Sequence, residues 1–195
     1  MTQSVTPLIL AGGQSSRMGK DKASIKWQNV PLLRRVCDLA LIFSDSVYIL
    51  TPWPNSYDSL VPSGCYFLPE LGLQQGPLSA FAEGITRLPS TDWVWLLACD
   101  LPRLEAKIMQ NWLQFLADVP SEILAVVPYH DDYFEPLCGF YRPAIASYLR
   151  QFQAGGGRSF QRFLRQVPTQ RLMLNEPEVL MLWNCNTPED LNFSF

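Results

Sequence analysis

The chain has 195 residues, long enough to bury a sizeable core in one domain. With 48% hydrophobic and 17% charged residues it has the balance of a soluble globule, and its formal charge of -3 excludes a general attraction to nucleic acid or to an anionic membrane surface. Anion binding must therefore come from a local cluster of cations.

Taken in order, Pro7 to Leu10 is an apolar strand that empties into Ala11-Gly12-Gly13-Gln14-Ser15-Ser16-Arg17-Met18-Gly19-Lys20-Asp21-Lys22. Ala23 to Trp27 reads as a short extended segment and Asn29-Val30-Pro31 as a turn. Leu32, Leu33, Val36, Leu39, Ala40 and Phe43 recur at helical spacing, with Pro31 suited to a first helical turn. Val47 to Thr51 is a second strand, continuous rather than alternating in its hydrophobicity. Pro52 to Gly64, rich in Pro, Ser and Asn, reads as a surface loop, and Cys65 to Leu68 as a third strand ending at Pro69-Glu70. A glycine-containing loop, Leu71 to Leu78, enters a helix over Pro77 to Leu88.

Asp92 to Asp100 carries the strongest strand signal, an apolar run stopped by a carboxylate. Leu104 to Val119 has a helical pattern, Ile123 to Pro128 and Leu137 to Tyr141 read as strands, and Pro143 to Phe152 as a helix. Gly155-Gly156-Gly157 precedes a short helix from Arg158 to Arg165, and Arg171 to Leu174 and Val179 to Trp183 read as late strands. Near the end Thr187 suits an N-cap, with Pro188 at the first helical position.

Continuous apolar strands separated by amphipathic helices predict an α/β fold, a three-layer α/β/α sandwich on a mostly parallel, mixed sheet. In such sheets ligands bind at the carboxyl ends of the strands, which puts the opening loop, Glu70, Asp100 and Asn184 on one rim. The cysteines, Cys37, Cys65, Cys99, Cys138 and Cys185, are odd in number and contain no Cys-x-x-Cys pair, so neither a zinc ribbon nor a redox motif is indicated. They read as buried thiols of a reducing compartment. With neither a secretory leader nor a run of about 20 apolar residues, the expected location is the cytoplasm.

The opening loop has the makings of a phosphate cradle. Glycines let backbone N–H groups approach an anion closely, and Arg17, Lys20 and Lys22 can offset the charge of a triphosphate; a tight turn with solvated cations is the competing reading. It is not a Walker loop, because five residues separate Gly13 from Gly19 and Asp21 follows Lys20 where a hydroxyl is needed. The adjacent Gly12-Gly13 pair does not fit the dinucleotide fingerprint either. Asp100, on a rigid strand end, suits a Mg²⁺ ion held by one or two carboxylates plus substrate phosphates, or else caps the helix that follows Pro102. Lys22 is a point charge able to follow a phosphate into a transition state, or else a solvated loop lysine. The lone His130 reads as a loop residue.

Leu-Ala-Gly-Gly-x-x-x-Arg-Met-Gly-x-Asp-Lys resembles the opening signature of nucleotidyltransferases, and its nearest form is that of the molybdenum cofactor guanylyltransferases, the MobA family. The ending Asn184-x-Asn186-Thr187-Pro188-Glu189-Asp190-Leu191 is similar to that family's Asn-x-Asn-Thr-Pro ending, and the matching segments follow the family's order. The resemblance implies one Rossmann-like nucleotidyltransferase domain over residues 1–195. It also implies transfer of GMP from GTP to the terminal phosphate of Mo-molybdopterin, with Mg²⁺ as cofactor. Leu10, Ala11, Gly12, Gly13, Lys22, Glu70 and Asp100 would bind GTP, with Lys22, Arg17 and Asp100 catalytic and Asp100 on the metal.

On the acceptor side the resemblance implies Arg158, Ser159, Asn184 and Asn186, with the segment from Glu135 to Arg142 lining the same side. It leaves room for transient contact with molybdoenzyme maturation proteins and implies neither nucleic acid nor membrane as partner. Two departures bear on the base. The family usually places Asp near Glu70, and Thr51-Pro52 stands where the best-known members carry Asn. A related transferase using CTP or a sugar-phosphate acceptor, or a nucleotide-binding module without turnover, are the alternatives these departures keep open.

Overall fold

A strand buried on both faces must be apolar along its whole length, and Trp93–Ala98 meets that condition: all six residues are buried. The computed structural model describes residues 3–12, 21–71 and 76–185. In chain order its strands are β1 (Val5–Leu10), β2 (Lys26–Trp27), β3 (Val30–Pro31), β4 (Val47–Thr51), β5 (Cys65–Pro69), β6 (Trp93–Ala98), β7 (Ala125–His130), β8 (Tyr133–Phe134), β9 (Cys138–Tyr141) and β10 (Thr169–Met173). Its α-helices are α1 (Leu32–Ala40), α2 (Pro54–Tyr57), α3 (Pro77–Ile85), α4 (Ala106–Phe115), α5 (Ile145–Ala154), α6 (Phe160–Leu164) and α7 (Glu176–Met181).

The main sheet runs β10-β7-β9-β6-β1-β4-β5, with β8 pairing β7 off this path. β1, β4, β5 and β6 are mutually parallel, as are β7 and β10, while β9 runs antiparallel between β6 and β7. Side chains alternate between two cores. Ile9, Trp93, Trp95 and Leu97 pack with Val36 of α1 and Met109 and Trp112 of α4. Leu8, Leu10, Val94 and Leu96 pack with Phe81 of α3, Leu149 of α5 and Phe163 of α6. This is the three-layer arrangement with a mixed, mostly parallel sheet that the sequence predicts.

Several local expectations change. The late strand expected over Val179 to Trp183 is instead the end of α7. Asn175 accepts from the Glu178 N–H and Glu178 returns a bond to the Asn175 N–H, a capping box that starts a helix there. The loop expected from Pro52 to Gly64 contains α2, with Pro54 in its first turn. The turn expected at Asn29 to Pro31 lies at Gln28-Asn29, both at positive φ, and closes the β2/β3 hairpin. The same chemistry at Asp131-Asp132 makes the β7/β8 hairpin, which hydrophobic periodicity does not reveal. The helix expected from Arg158 begins at Phe160, because Ser159 is its N-cap. Among the described residues no helix is long and apolar enough to cross a membrane.

Candidate active site

Ladder hydrogen bonds carry past the strand ends and fix the rim. The Ala11 N–H donates to Leu50 O at 2.9 Å and the Cys99 N–H to Leu10 O at 3.3 Å, so the exit from β1 is held between β4 and β6. Leu10 and Ala11 are buried there. Gly12 follows in a crowded position: a Cβ would lie 2.8 Å from Glu70 Oε2 and 2.9 Å from Pro52 Cδ. Gly12, Glu70 and Pro52, which the sequence distributes over three loops, therefore meet. Gly13 and Arg17 lie outside the described residues.

Glu70 is placed by β5 and clamped by α3. Its N–H donates to Thr51 O at 2.9 Å, and Glu83 of α3 accepts from the Leu71 N–H at 2.9 Å. Arg87 bridges Glu83 at 2.7 Å and Pro69 O at 2.6 Å. Burial pushes the Glu70 carboxyl above its ordinary value, and the charge of Glu83 adds to the shift. Glu70 also borders a cavity of about 240 Å³ with Ser79, Arg150 and Gln153.

Lys22 opens a 3₁₀ turn, Lys22–Ser24, whose N-cap is Asp21; the Asp21 side chain accepts from the Ala23 N–H and from Ser24 Oγ. Buried Ala23 anchors that turn against the core. The turn directs Lys22 Nζ onto Asp100 Oδ2 at 2.8 Å, both side chains being only about one-fifth exposed (22% and 17%). Tyr57 of α2, buried, has Asp21 and Thr51 as partners at its hydroxyl, and burial raises its pKa. Asp100 does not cap the next helix: the residue preceding α4 is Glu105, and its side chain makes no capping bond. Among the described residues no three or more His, Cys, Asp or Glu converge on a metal-sized point. The Asp100 carboxylate is a donor of the type that suits Mg²⁺, which is usually held by one or two carboxylates plus waters and substrate phosphates.

The tail closes on the same point. The Cys185 N–H donates to the main-chain Asp100 O at 3.0 Å, which ties the end of the described chain to the residue after β6. Asn184 shares a cavity of about 300 Å³ with His130, Glu135 and Trp183. His130, read from sequence as a bland loop residue, is the last residue of β7 and lines this cavity; Asn186 lies outside the described residues. Nothing in the hydrophobic pattern marks His130, since its place depends on the hairpin at Asp131-Asp132. Ser159 accepts from the Arg162 N–H at 3.3 Å as the cap of α6, next to exposed Arg158. The structure thus brings Gly12 together with Glu70, Lys22 together with Asp100, and Asn184 together with His130 and Glu135. Among the described contacts it does not join Arg158 or Ser159 to any of these groups.

Comparison with known proteins follows the same lines. The MobA-like NTP transferase domain matches residues 7–170. A probable molybdenum cofactor guanylyltransferase of Nostoc sp. is 52% identical over 187 residues, spanning 96% of this chain and 88% of that protein. One of Synechococcus elongatus is 42% identical over 185 residues, 94% of each chain. Among solved structures, molybdopterin-guanine dinucleotide biosynthesis protein A from Archaeoglobus fulgidus superposes with a TM-score of 0.77 at 19% identity, over 96% of this chain and 95% of that one, a likeness of fold. With that domain matched from the first strand to the last, and relatives of such identity over nearly its whole length, the chain belongs to the MobA-like NTP transferase family.

Proposed function

We propose that this protein is a molybdenum cofactor guanylyltransferase that moves GMP from GTP to the terminal phosphate of Mo-molybdopterin and releases pyrophosphate. The observation that carries this reading is the Lys22–Asp100 pair at 2.8 Å, set just past the end of β6, where the Cys185 N–H also docks on Asp100 O. A cation and a carboxylate at that junction suit a reaction needing positioning and charge neutralisation more than an acid or base. The names of the relatives at 52% and 42% identity support the same acceptor and base.

In this reading Gly12 and Gly13 bring backbone donors to the triphosphate, Leu10 and Ala11 hold that turn against the sheet, and Arg17 and Lys22 neutralise the charge. Asp100 would hold Mg²⁺; when bound, the ion neutralises phosphate charge. The acceptor phosphate, already ionised near neutral pH, forms a P–O bond to the α-phosphorus while the bond to the bridging oxygen breaks and pyrophosphate leaves. Glu70 accepts from the N1–H and 2-amino group of guanine, while Asn184, Asn186, Arg158 and Ser159 face the acceptor. Arg suits phosphate oxygens and stacks on flat rings. The five cysteines form no disulfide, and all but partly exposed Cys65 are buried, which suits a reducing compartment, and we place the reaction in the cytoplasm. Hand-over to molybdoenzyme maturation proteins belongs to the same proposal.

Pyrophosphate release measured with ATP, GTP, CTP and UTP, each with Mo-molybdopterin and Mg²⁺, tests the reading. GTP should be preferred; a CTP preference would overturn the base, and no release with any nucleotide would favour a binding module. Asp100→Ala should lower transfer by about a thousandfold with the melting transition retained. A variant that keeps wild-type turnover would sink the metal assignment.

A further inference from the structure

The cavity behind Asn184 holds a carboxylate that the transfer chemistry does not use. Glu135 is fixed from both sides, its N–H donating to Pro128 O at 2.8 Å and its carbonyl accepting from the Cys138 N–H at 3.3 Å. Two residues on, Leu137 O accepts from the Ala98 N–H at 2.9 Å, which ties the segment to the strand leading into Asp100. The Glu135 carboxylate lines the cavity, and among the described residues no side-chain or backbone donor bonds it. Burial raises its pKa, with His130 opposing the shift. A half-buried carboxylate without donors is unfavourable, and a ligand bringing donors relieves that cost.

The remaining walls narrow the ligand. Leu174, Val179 and Leu182 are apolar, and Trp183, 45% exposed, offers an indole on which a flat heteroaromatic ring can stack. A volume of about 300 Å³ holds a fused bicyclic ring but not a whole dinucleotide. We propose that Glu135 is the residue that selects the ring of the acceptor, its two oxygens accepting the N3–H and 2-amino hydrogens of a 2-amino-4-oxopteridine while Trp183 stacks on the ring. This rests on the acceptor being a pterin. Two parallel donors matching two carboxylate oxygens form a bidentate pair of defined geometry. Asn184 offers only one amide oxygen and cannot make that pair. In sheet order this cavity lies on the far side of Asp100 from Glu70, so base and acceptor ring are read by separate carboxylates.

The test is calorimetric titration of the full chain, without nucleotide, with 6-hydroxymethylpterin and with 6-hydroxymethyllumazine, in which an oxo group replaces the 2-amino group. Wild type should bind the pterin about tenfold more tightly than the lumazine. Glu135→Gln should lose that preference, Glu135→Asp should retain part of it, and Trp183→Ala should weaken both ligands alike. Equal affinity of wild type for the two, no binding of the pterin, or an undiminished preference in Glu135→Gln overturns the proposal. Because no GTP is present, pterin selection without pyrophosphate release would sink the transfer reading and leave this one standing. Transfer by a chain that does not distinguish the two ligands sinks this one alone.

Discussion

On the β1, β4 and β5 side of Asp100 the candidate site is made of strand ends, whereas on the β9, β7 and β10 side only His130 ends a strand, and Glu135 and Asn184 lie in connections. Leu10, Ala11, Thr51 and Glu70 are held by main-chain bonds that continue the ladders, so their places follow from strand register. His130, Glu135 and Asn184 are held instead by a two-residue hairpin, a turn bond to Pro128 O and the docking of Cys185 on Asp100 O. One flank is thus fixed by the strand ladders themselves. The other depends on turns and caps, and is where a ring-specific pocket can be built without disturbing the sheet.

The largest effect that tests this separation is expected at Gly12. An alanine there places its Cβ 2.8 Å from a carboxylate oxygen and 2.9 Å from a proline ring. Overpacking costs about 1–3 kcal/mol, and if that cost falls on nucleotide binding the KM for GTP rises about fivefold to 150-fold. KM for the acceptor should be unchanged, and steady-state kinetics with each substrate varied in turn will show it. An equal rise for both substrates would mean that the flanks are one unit. Adding Glu70→Ala should relieve only the carboxylate clash, because Pro52 remains.

The same division explains what could be read from the sequence. The central strands are legible because burial on both faces demands unbroken apolar runs, as at Trp93–Ala98. Lys22 and Asp100 are legible as chemistry because both stand where a strand or its loop ends. Their 2.8 Å contact is not, since it spans 78 positions and depends on a 3₁₀ turn set by Asp21. α7 is misread because Val179 to Trp183 is apolar enough for a strand, while the deciding signal is the polar pair Asn175 and Glu178. The approach of Glu70 to Gly12 is invisible in sequence, because neither residue's pattern fixes how β5 lies against β4.

A smaller effect is expected at Ser159, where structure and proposed function both make a demand. Its oxygen accepts from the Arg162 N–H as a cap, and its own proton remains free to donate to an acceptor phosphate. Ser159→Ala should cost about 1 kcal/mol of stability, or about 2–4 °C in Tm, and should also raise the acceptor KM. Ser159→Asp keeps a capping oxygen but sets a negative charge against the phosphate. Its Tm should stay near wild type while the acceptor KM rises about tenfold. If acceptor KM is unaffected in both variants, Ser159 is a cap only and the acceptor flank loses a member.

The smallest effect compares the two carboxylates directly through pH. Burial raises both Glu70 and Glu135, with Glu83 adding to the first shift and His130 opposing the second. Their native pKa values therefore exceed the ordinary 4.5, and between the two values the native state binds more protons than the unfolded chain. Stability of the wild type consequently falls as pH rises from about 4.5 through the native pKa, and this cost is fully present above it. Neutral Glu70→Gln and Glu135→Gln lack that slope. Each should melt at the wild-type temperature or below it near pH 4.5 and gain on the wild type as pH rises, by about a degree or two at pH 8. Glu70→Gln also removes the repulsion with Glu83. A Tm difference that is flat from pH 4.5 to 8, or that shrinks as pH rises, would show that neither carboxylate is held at a cost in the native rim. Addition of 6-hydroxymethylpterin should stabilise the wild type more than Glu135→Gln at pH 8 and should not separate wild type from Glu70→Gln, because the donors it brings reach only one flank.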